Sequence, residues 1–123
     1  MSDLARNQSR NLVLSTIGGI CGVLGIAAYA GAAHGSANYL GTIAPLLLAH
    51  APALLVLSII AATSRAANIG AAILIVGLAL FCGDLIYRDL ASSRLFPFAA
   101  PTGGTLMMLG WLCIAISGWG SKR

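Results

Sequence analysis

Charged side chains are scarce in this sequence of 123 residues. Lys, Arg, Asp and Glu together make up 8% of it, and three residues are acidic, whereas about 25% of the residues of an ordinary soluble domain are charged. Hydrophobic residues make up 59%. A chain with so little charge cannot surround an apolar core with a polar surface, so the composition excludes a soluble globular domain and indicates a protein that folds in lipid.

The sequence also has few cysteines and no spacing typical of a metal site. Cys21, Cys82 and Cys113 all fall inside apolar runs, and no CxxC pair occurs. We expect them to act as small packing residues, and we predict no metal, no cofactor and no catalytic residue. The net charge of +4 comes from scattered basic residues, so nucleic acid is not an expected partner.

Four apolar runs fill almost all of the chain, at residues 12–33, 43–63, 69–87 and 105–119. A bilayer core about 30 Å thick requires about 20 apolar residues of helix, and each run approaches that length. The sequence therefore predicts an all-α fold, a polytopic membrane four-helix bundle, built as a single transmembrane domain over residues 1–123 and surrounded by the lipid bilayer.

Basic residues predict the orientation of the bundle. Five of the seven lie on one side of the membrane, namely Arg6, Arg10, Arg65, Lys122 and Arg123. An excess of Lys and Arg marks the cytoplasmic side, so we expect both termini to be cytoplasmic. The first apolar run is longer than the about 7–15 residues of a signal-peptide core, and we expect it to be retained as a span.

Small residues occur at spacings that favour helix packing. Gly18 and Gly22 form a GxxxG pair in the first run, which lets two helix backbones approach closely. We favour a partner helix in the same chain, with a neighbouring subunit as the alternative. Gly70, Gly77 and Asp84 recur every seven residues in the third run, so they share one face that we expect to contact another helix.

Polar residues form a candidate cluster in the outer part of the predicted bundle. Its members are His34, His50, Asp84, Arg88, Thr102 and Thr105. At 1.5 Å per residue, His50 lies roughly 12 Å and Asp84 roughly 9 Å from the outer ends of their spans. Ionisable residues at such depths are candidates for function.

Two interpretations of this cluster stand side by side. We favour a structural one, in which Asp84 pairs with Arg88 or caps the Thr102–Thr105 turn and His50 bonds a carbonyl freed by Pro52. The alternative is a proton relay or ion site built from Asp84 and His50.

Two histidines raise the further alternative of axial haem ligation by His34 and His50. Both rings would have to lie at one level and face each other. We expect His34 to lie in the headgroup zone, which disfavours haem.

Five motifs, read in order, resemble a known family. They are GAAHG at 31–35, HAPALL at 50–55, LFCGDL at 80–85, APTGG at 100–104 and GWL at 110–112. The chain resembles small four-span bacterial membrane proteins grouped as domain of unknown function 423, relatives of eukaryotic transmembrane protein 256. It departs from that pattern at Ala49, where Tyr is common, and at Cys82 and Asp84, where Ser is common. The resemblance implies the fold and a bacterial inner-membrane location, and it brings no reaction.

These observations leave three functional hypotheses. The first is a non-catalytic accessory or stabilising subunit of a larger inner-membrane assembly, such as a respiratory complex, with other membrane subunits or further copies of the chain as partners. The second is a small oligomeric transporter or channel that uses Asp84 and His50. The third is a membrane anchor that binds haem or quinone.

Overall fold

The computed structural model describes residues 2–35 and 39–120, with side chains described for 12–35 and 39–119. Within that part of the chain there are four helices and no strand. They are α1 (Ser2–His34), α2 (Leu40–Ile60), α3 (Arg65–Ala91) and α4 (Ala99–Gly120).

All four helices are long and apolar enough to cross a membrane. The crossing segments are Leu12–His34, Leu40–Ile60, Arg65–Ala91 and Ala99–Trp119. The predicted all-α fold with four membrane spans is therefore confirmed. Lys122 and Arg123, on which part of the predicted orientation depends, lie outside the described residues.

The connection between α3 and α4 is shorter than the sequence suggested. The predicted apolar runs leave residues 88–104 between the third and fourth spans, but α3 continues to Ala91 and α4 begins at Ala99. Asp89 has partners of its own within the fold, and Pro101 lies in the first turn of α4, where its missing N–H leaves no carbonyl unpaired. Polarity therefore did not mark the helix ends here.

Two residues with left-handed backbone bound this connection. Ser92 has a φ of 55° and Phe98 a φ of 66°. Left-handed backbone costs a residue with a Cβ about 1–2 kcal/mol, so contacts elsewhere must hold the segment 92–98 in this conformation. At the opposite end of the bundle, the Ser64 side chain caps α3 by accepting a hydrogen bond from the Ala67 N–H at 3.2 Å.

The helices pack as two antiparallel hairpins, α1 with α2 and α3 with α4, and α2 also contacts α3. We call the end where α1 joins α2 and α3 joins α4 the hairpin end. Ile43, Leu54 and Leu74 are almost completely buried between the helices. Asp84 is the only charged side chain among the described residues that is buried to the same degree.

Close backbone approach holds α1 against α2. A Cβ at Gly18 would lie 3.0 Å from the Ala51 carbonyl oxygen, and one at Gly25 would lie 2.6 Å from Leu48 Cγ. A Cβ at Gly22 would lie 3.9 Å from Ala51 Cβ, which is an ordinary contact distance. The GxxxG pair therefore faces a helix of the same chain, and Gly18 and Gly25 are its tightest points.

Glycines on both helices form the α3–α4 seam. A Cβ at Gly77 would lie 2.7 Å from the Gly103 carbonyl oxygen, and one at Gly103 would lie 2.8 Å from the Gly77 carbonyl oxygen. Gly70 and Gly110 face each other in the same reciprocal way, at 2.9 Å. Each step of seven residues along α3 is matched by a step of seven in the reverse direction along α4. The spacing of Gly70 and Gly77 thus corresponds to an interface with α4.

Candidate functional site

Asp84 occupies the next position of the α3 glycine face. Asp84 lies seven residues beyond Gly77, and the antiparallel register would place it opposite residue 96, seven residues before Gly103. Residue 96 precedes the start of α4. The connection lies there instead of a helix, and the Leu95 N–H donates a hydrogen bond to Asp84 Oδ1 at 2.9 Å. The carboxylate therefore binds the backbone of the connection where a helix-to-helix contact is no longer available.

Arg88 neutralises this carboxylate from the next turn of α3. Its Nη2 lies 2.7 Å from Asp84 Oδ2, and the two side chains are 20% and 0% exposed. The expected i,i+4 ion pair is therefore present. The two groups are in direct contact through Nη2, and the buried Arg88 Nε has no acceptor of its own within the described residues. Removing one member of such a buried pair costs about 3–5 kcal/mol.

The last turn of α3 is also linked to the start of α2. The Tyr39 N–H donates to Asp89 Oδ2 at 3.1 Å, and Arg88 Cζ lies 5.9 Å from the centroid of the Tyr39 ring. A guanidinium at this distance from an aromatic face is attracted by the ring. Asp84, Arg88, Asp89 and Tyr39 thus join three segments at the hairpin end: α3, the 92–98 connection and the start of α2.

His50 belongs to a second set of contacts. Its Nδ1 lies 2.7 Å from the Leu46 carbonyl oxygen, and the Trp111 Nε1–H donates to its Nε2 at 3.2 Å. A carbonyl can only accept and an indole N–H can only donate, so these partners assign the proton to Nδ1 of a neutral imidazole. His50 is 6% exposed, and its ring connects α2 to α4.

The carbonyl bound by His50 differs from the one that the sequence indicated. Pro52 removes the donor for the carbonyl four residues earlier, at Leu48, whereas the ring bonds Leu46 on its own preceding turn. The prediction that His50 bonds a carbonyl freed by Pro52 was therefore wrong. The role of Trp111 was missed, because nothing local in the sequence shows which helix faces His50.

The remaining predicted members lie apart from these two sets. His34 is exposed at the end of α1, and Thr102 is exposed in the first turns of α4. Thr105 is exposed too, and its hydroxyl donates to the Pro101 carbonyl oxygen at 2.8 Å. The six candidate residues thus divide into an Asp84–Arg88 pair, a separate His50 and three exposed side chains.

The arrangement is suited to holding helices together. In the described part of the chain, no group of three His, Cys, Asp or Glu side chains is placed to hold a metal ion. Haem ligation by His50 would require its bond to Leu46 or to Trp111 to break. Asp84 would likewise have to leave Leu95 and Arg88 before it could carry a proton or an ion.

The fold and these internal contacts define a polytopic α-helical membrane protein. The family model described as "Protein of unknown function (DUF423)" matches residues 25–104. The chain therefore belongs to the DUF423 family, which confirms the resemblance drawn from the five motifs. The matched segment includes His50, Asp84 and Arg88, whereas Trp111 lies beyond it. No solved structure matches this chain significantly.

Proposed function

We propose that this protein is a non-catalytic accessory subunit that stabilises a larger assembly of the bacterial inner membrane, such as a respiratory complex. The observation that carries the proposal is a second small-residue face on α1, on the side turned away from α2. We call it the α1 outer face; it consists of four small residues and the larger Val23 between them, all exposed: Thr16, Gly19, Val23, Ala27 and Ala30.

The spacing of these residues makes one continuous surface. At about 100° per residue they fall within about 80° of the helix circumference, whereas Gly18 and Gly25 lie on the side that contacts α2. A Cβ at Gly19 would meet no atom within 4 Å, so packing within the chain does not require a glycine there. In membranes, small residues favour close helix–helix association, and this face supports docking of a helix from another subunit.

The internal polar groups support a non-catalytic role. Both nitrogens of His50 and both oxygens of Asp84 contact groups of the same chain. Transport through these residues, haem binding at His50 and contact with a quinone are the alternatives. The first two would begin by breaking contacts that these side chains make within the fold, so we rank them behind the accessory role.

The test is purification of a tagged chain, expressed at its native level, in mild detergent. We expect a stoichiometric membrane partner, and we expect deletion of this chain to destabilise that partner's complex. Gly19→Leu should abolish co-purification because it fills the α1 outer face. Ala79→Leu is the matched control, since Ala79 is exposed on α3 and lies away from that face.

Three outcomes would contradict the proposal. The wild-type chain could elute alone, Gly19→Leu could keep the partner as well as Ala79→Leu does, or deletion could leave every membrane complex intact. A reduced-minus-oxidised spectrum of the eluate tests the haem alternative, with His50→Ala deciding whether any bands arise from this chain. Unchanged ion flux of Asp84→Asn in liposomes would reject transport through Asp84.

A further inference from the structure

A groove at the hairpin end, independent of the α1 outer face, combines cationic and apolar walls. Its volume is about 590 Å³. The walls include Phe81 and Arg88 of α3, Arg94 of the connection, and Gly104, Thr105 and Met108 of α4. We call it the Arg88–Arg94 groove. Neither Asp84 nor Asp89 lines it, so the titratable groups on its walls are the two guanidinium groups.

The two arginines differ in how many of their hydrogen-bond donors are already bound within the protein. Arg88 is bound to Asp84 through Nη2, while its Nε has no hydrogen-bond acceptor within the described residues. Arg94 is exposed and makes no hydrogen bond or ion pair in the part of the chain that the structure describes. Asp84 accepts from Leu95 and Asp89 from Tyr39. The charge of Arg88 is therefore matched by Asp84, and the charge of Arg94 also acts on Asp84, but from a longer distance. Arg94 thus gives the groove a guanidinium group that no carboxylate among the described residues binds directly.

The start of α4 also favours an anion in the groove. Ala100 and Pro101 also line the groove, and the first turn of α4 contains no acidic residue. The partial positive charge of a helix N-terminus favours an anion. Phosphate groups match the fork of an arginine side chain particularly well.

The groove is cationic close to the membrane surface and apolar deeper in the membrane. Arg88 lies three residues before the end of α3, close to the membrane surface. Phe81 lies seven residues before Arg88, hence about 10 Å deeper at 1.5 Å per residue. Met108 is 63% exposed and lies one turn beyond Thr105 on α4. A ligand that fits both levels has an anionic head and a hydrocarbon chain.

We propose that the Arg88–Arg94 groove is a binding site for an anionic phospholipid. Its phosphate contacts Arg94 and the outer side of Arg88, and one acyl chain lies along Phe81 and Met108. The forked guanidinium groups match the phosphate, and the apolar wall matches the acyl chain. The site would anchor the 92–98 connection to the adjacent leaflet.

The test is native mass spectrometry of the purified full chain, titrated with phosphatidylglycerol and with phosphatidylcholine. We expect tighter binding of phosphatidylglycerol, and Arg94→Gln should weaken it about fivefold, as for loss of one interfacial cation. Arg65→Gln is the matched control, because Arg65 is exposed at the other end of the bundle. Arg94→Gln should leave the fold intact, which its unfolding transition checks.

A second variant tests the apolar half of the groove. Gly104→Leu should weaken binding of phosphatidylglycerol, because the leucine side chain would fill the groove while Arg94 stays in place. The fold should accept this change, since a Cβ at Gly104 would have one neighbour within 4 Å, Phe81 Cδ2 at 4.0 Å. Glycerophosphate, a headgroup without chains, should not displace the lipid at equal concentration.

Any of three results would overturn the proposal. The first is equal affinity for the two lipids, and the second is equal effects of Arg94→Gln and Arg65→Gln. The third is full displacement by glycerophosphate, which would assign the groove to a small free anion instead.

Discussion

The α3–α4 seam makes a quantitative prediction for Gly77→Ala. The added Cβ would lie 2.7 Å from the Gly103 carbonyl oxygen, 2.7 Å from the Met107 nitrogen and 2.9 Å from Leu106 Cβ. Carbon atoms pack best at about 3.5–4.0 Å, and two of these three neighbours are backbone atoms that no rotamer change can move. The helices must therefore separate locally by close to 1 Å.

The free energy follows from three contributions. Overpacking of this kind costs about 1–3 kcal/mol, and a radial gap of 0.5–1 Å forfeits about a quarter to a half of each neighbouring van der Waals contact. Alanine is favoured over glycine inside a helix by about 0.8–1 kcal/mol. Gly83→Ala is the reference variant: it gains the helix propensity of alanine without any overpacking, because a Cβ at Gly83 would meet no atom within 4 Å. Because both variants gain the same helix propensity, that contribution cancels, and we expect Gly77→Ala to be less stable than Gly83→Ala by about 1–3 kcal/mol.

Reversible unfolding by SDS in mixed micelles measures this difference. The two tryptophans of the chain, Trp111 and Trp119, both lie on α4, so their fluorescence reports separation of α4 from α3. Equal unfolding midpoints for Gly77→Ala and Gly83→Ala would refute the close contact of Gly77 with α4.

Three further predictions use the same unfolding assay. Trp111→Phe should cost about 1–3 kcal/mol, because it leaves a buried imidazole nitrogen without a donor; a loss below 0.5 kcal/mol, taken as roughly the low end for one hydrogen bond, would contradict the bond. Asp84→Asn should cost about 3–5 kcal/mol, since it leaves Arg88 unpaired, and adding Arg88→Gln should recover part of that loss, whereas strictly additive losses would argue against the ion pair. Gly18→Ala should destabilise more than Gly22→Ala, because their Cβ atoms would lie 3.0 Å and 3.9 Å from Ala51 atoms; the reverse order would show that α1 packs differently.

Local patterns in the sequence were enough to predict the helices and the Asp84–Arg88 pair. Hydrophobic length determines whether a segment can span a bilayer, and an i,i+4 spacing places two side chains on adjacent turns of one helix. The seven-residue spacing of Gly70 and Gly77 indicated a contact face for the same reason. These inferences needed no knowledge of which helix is the neighbour.

The contacts that sequence reasoning missed are those that depend on neighbours distant along the chain. The bond between His50 and Trp111 joins residues 61 positions apart, and no periodicity encodes that pairing. The Leu95 N–H bonds Asp84 from a connection bounded by Ser92 and Phe98, and both adopt left-handed backbone, which is uncommon for residues other than glycine. The predicted orientation of the termini and the assignment of one domain stay predictions.

The division into two hairpins has a consequence for biogenesis. Each hairpin contains its own tight glycine contacts, Gly18 and Gly25 against α2 in the first and Gly77 against Gly103 in the second. The first hairpin therefore has the contacts it needs to assemble before the second has been synthesised. Two of the contacts that join them have different requirements: Tyr39 can bond Asp89 once α3 is complete, whereas His50 can bond Trp111 only after Trp111 has been synthesised. We therefore expect the bond between His50 and Trp111 to be among the last contacts to form, and until it forms the imidazole Nε2 has no donor from α4.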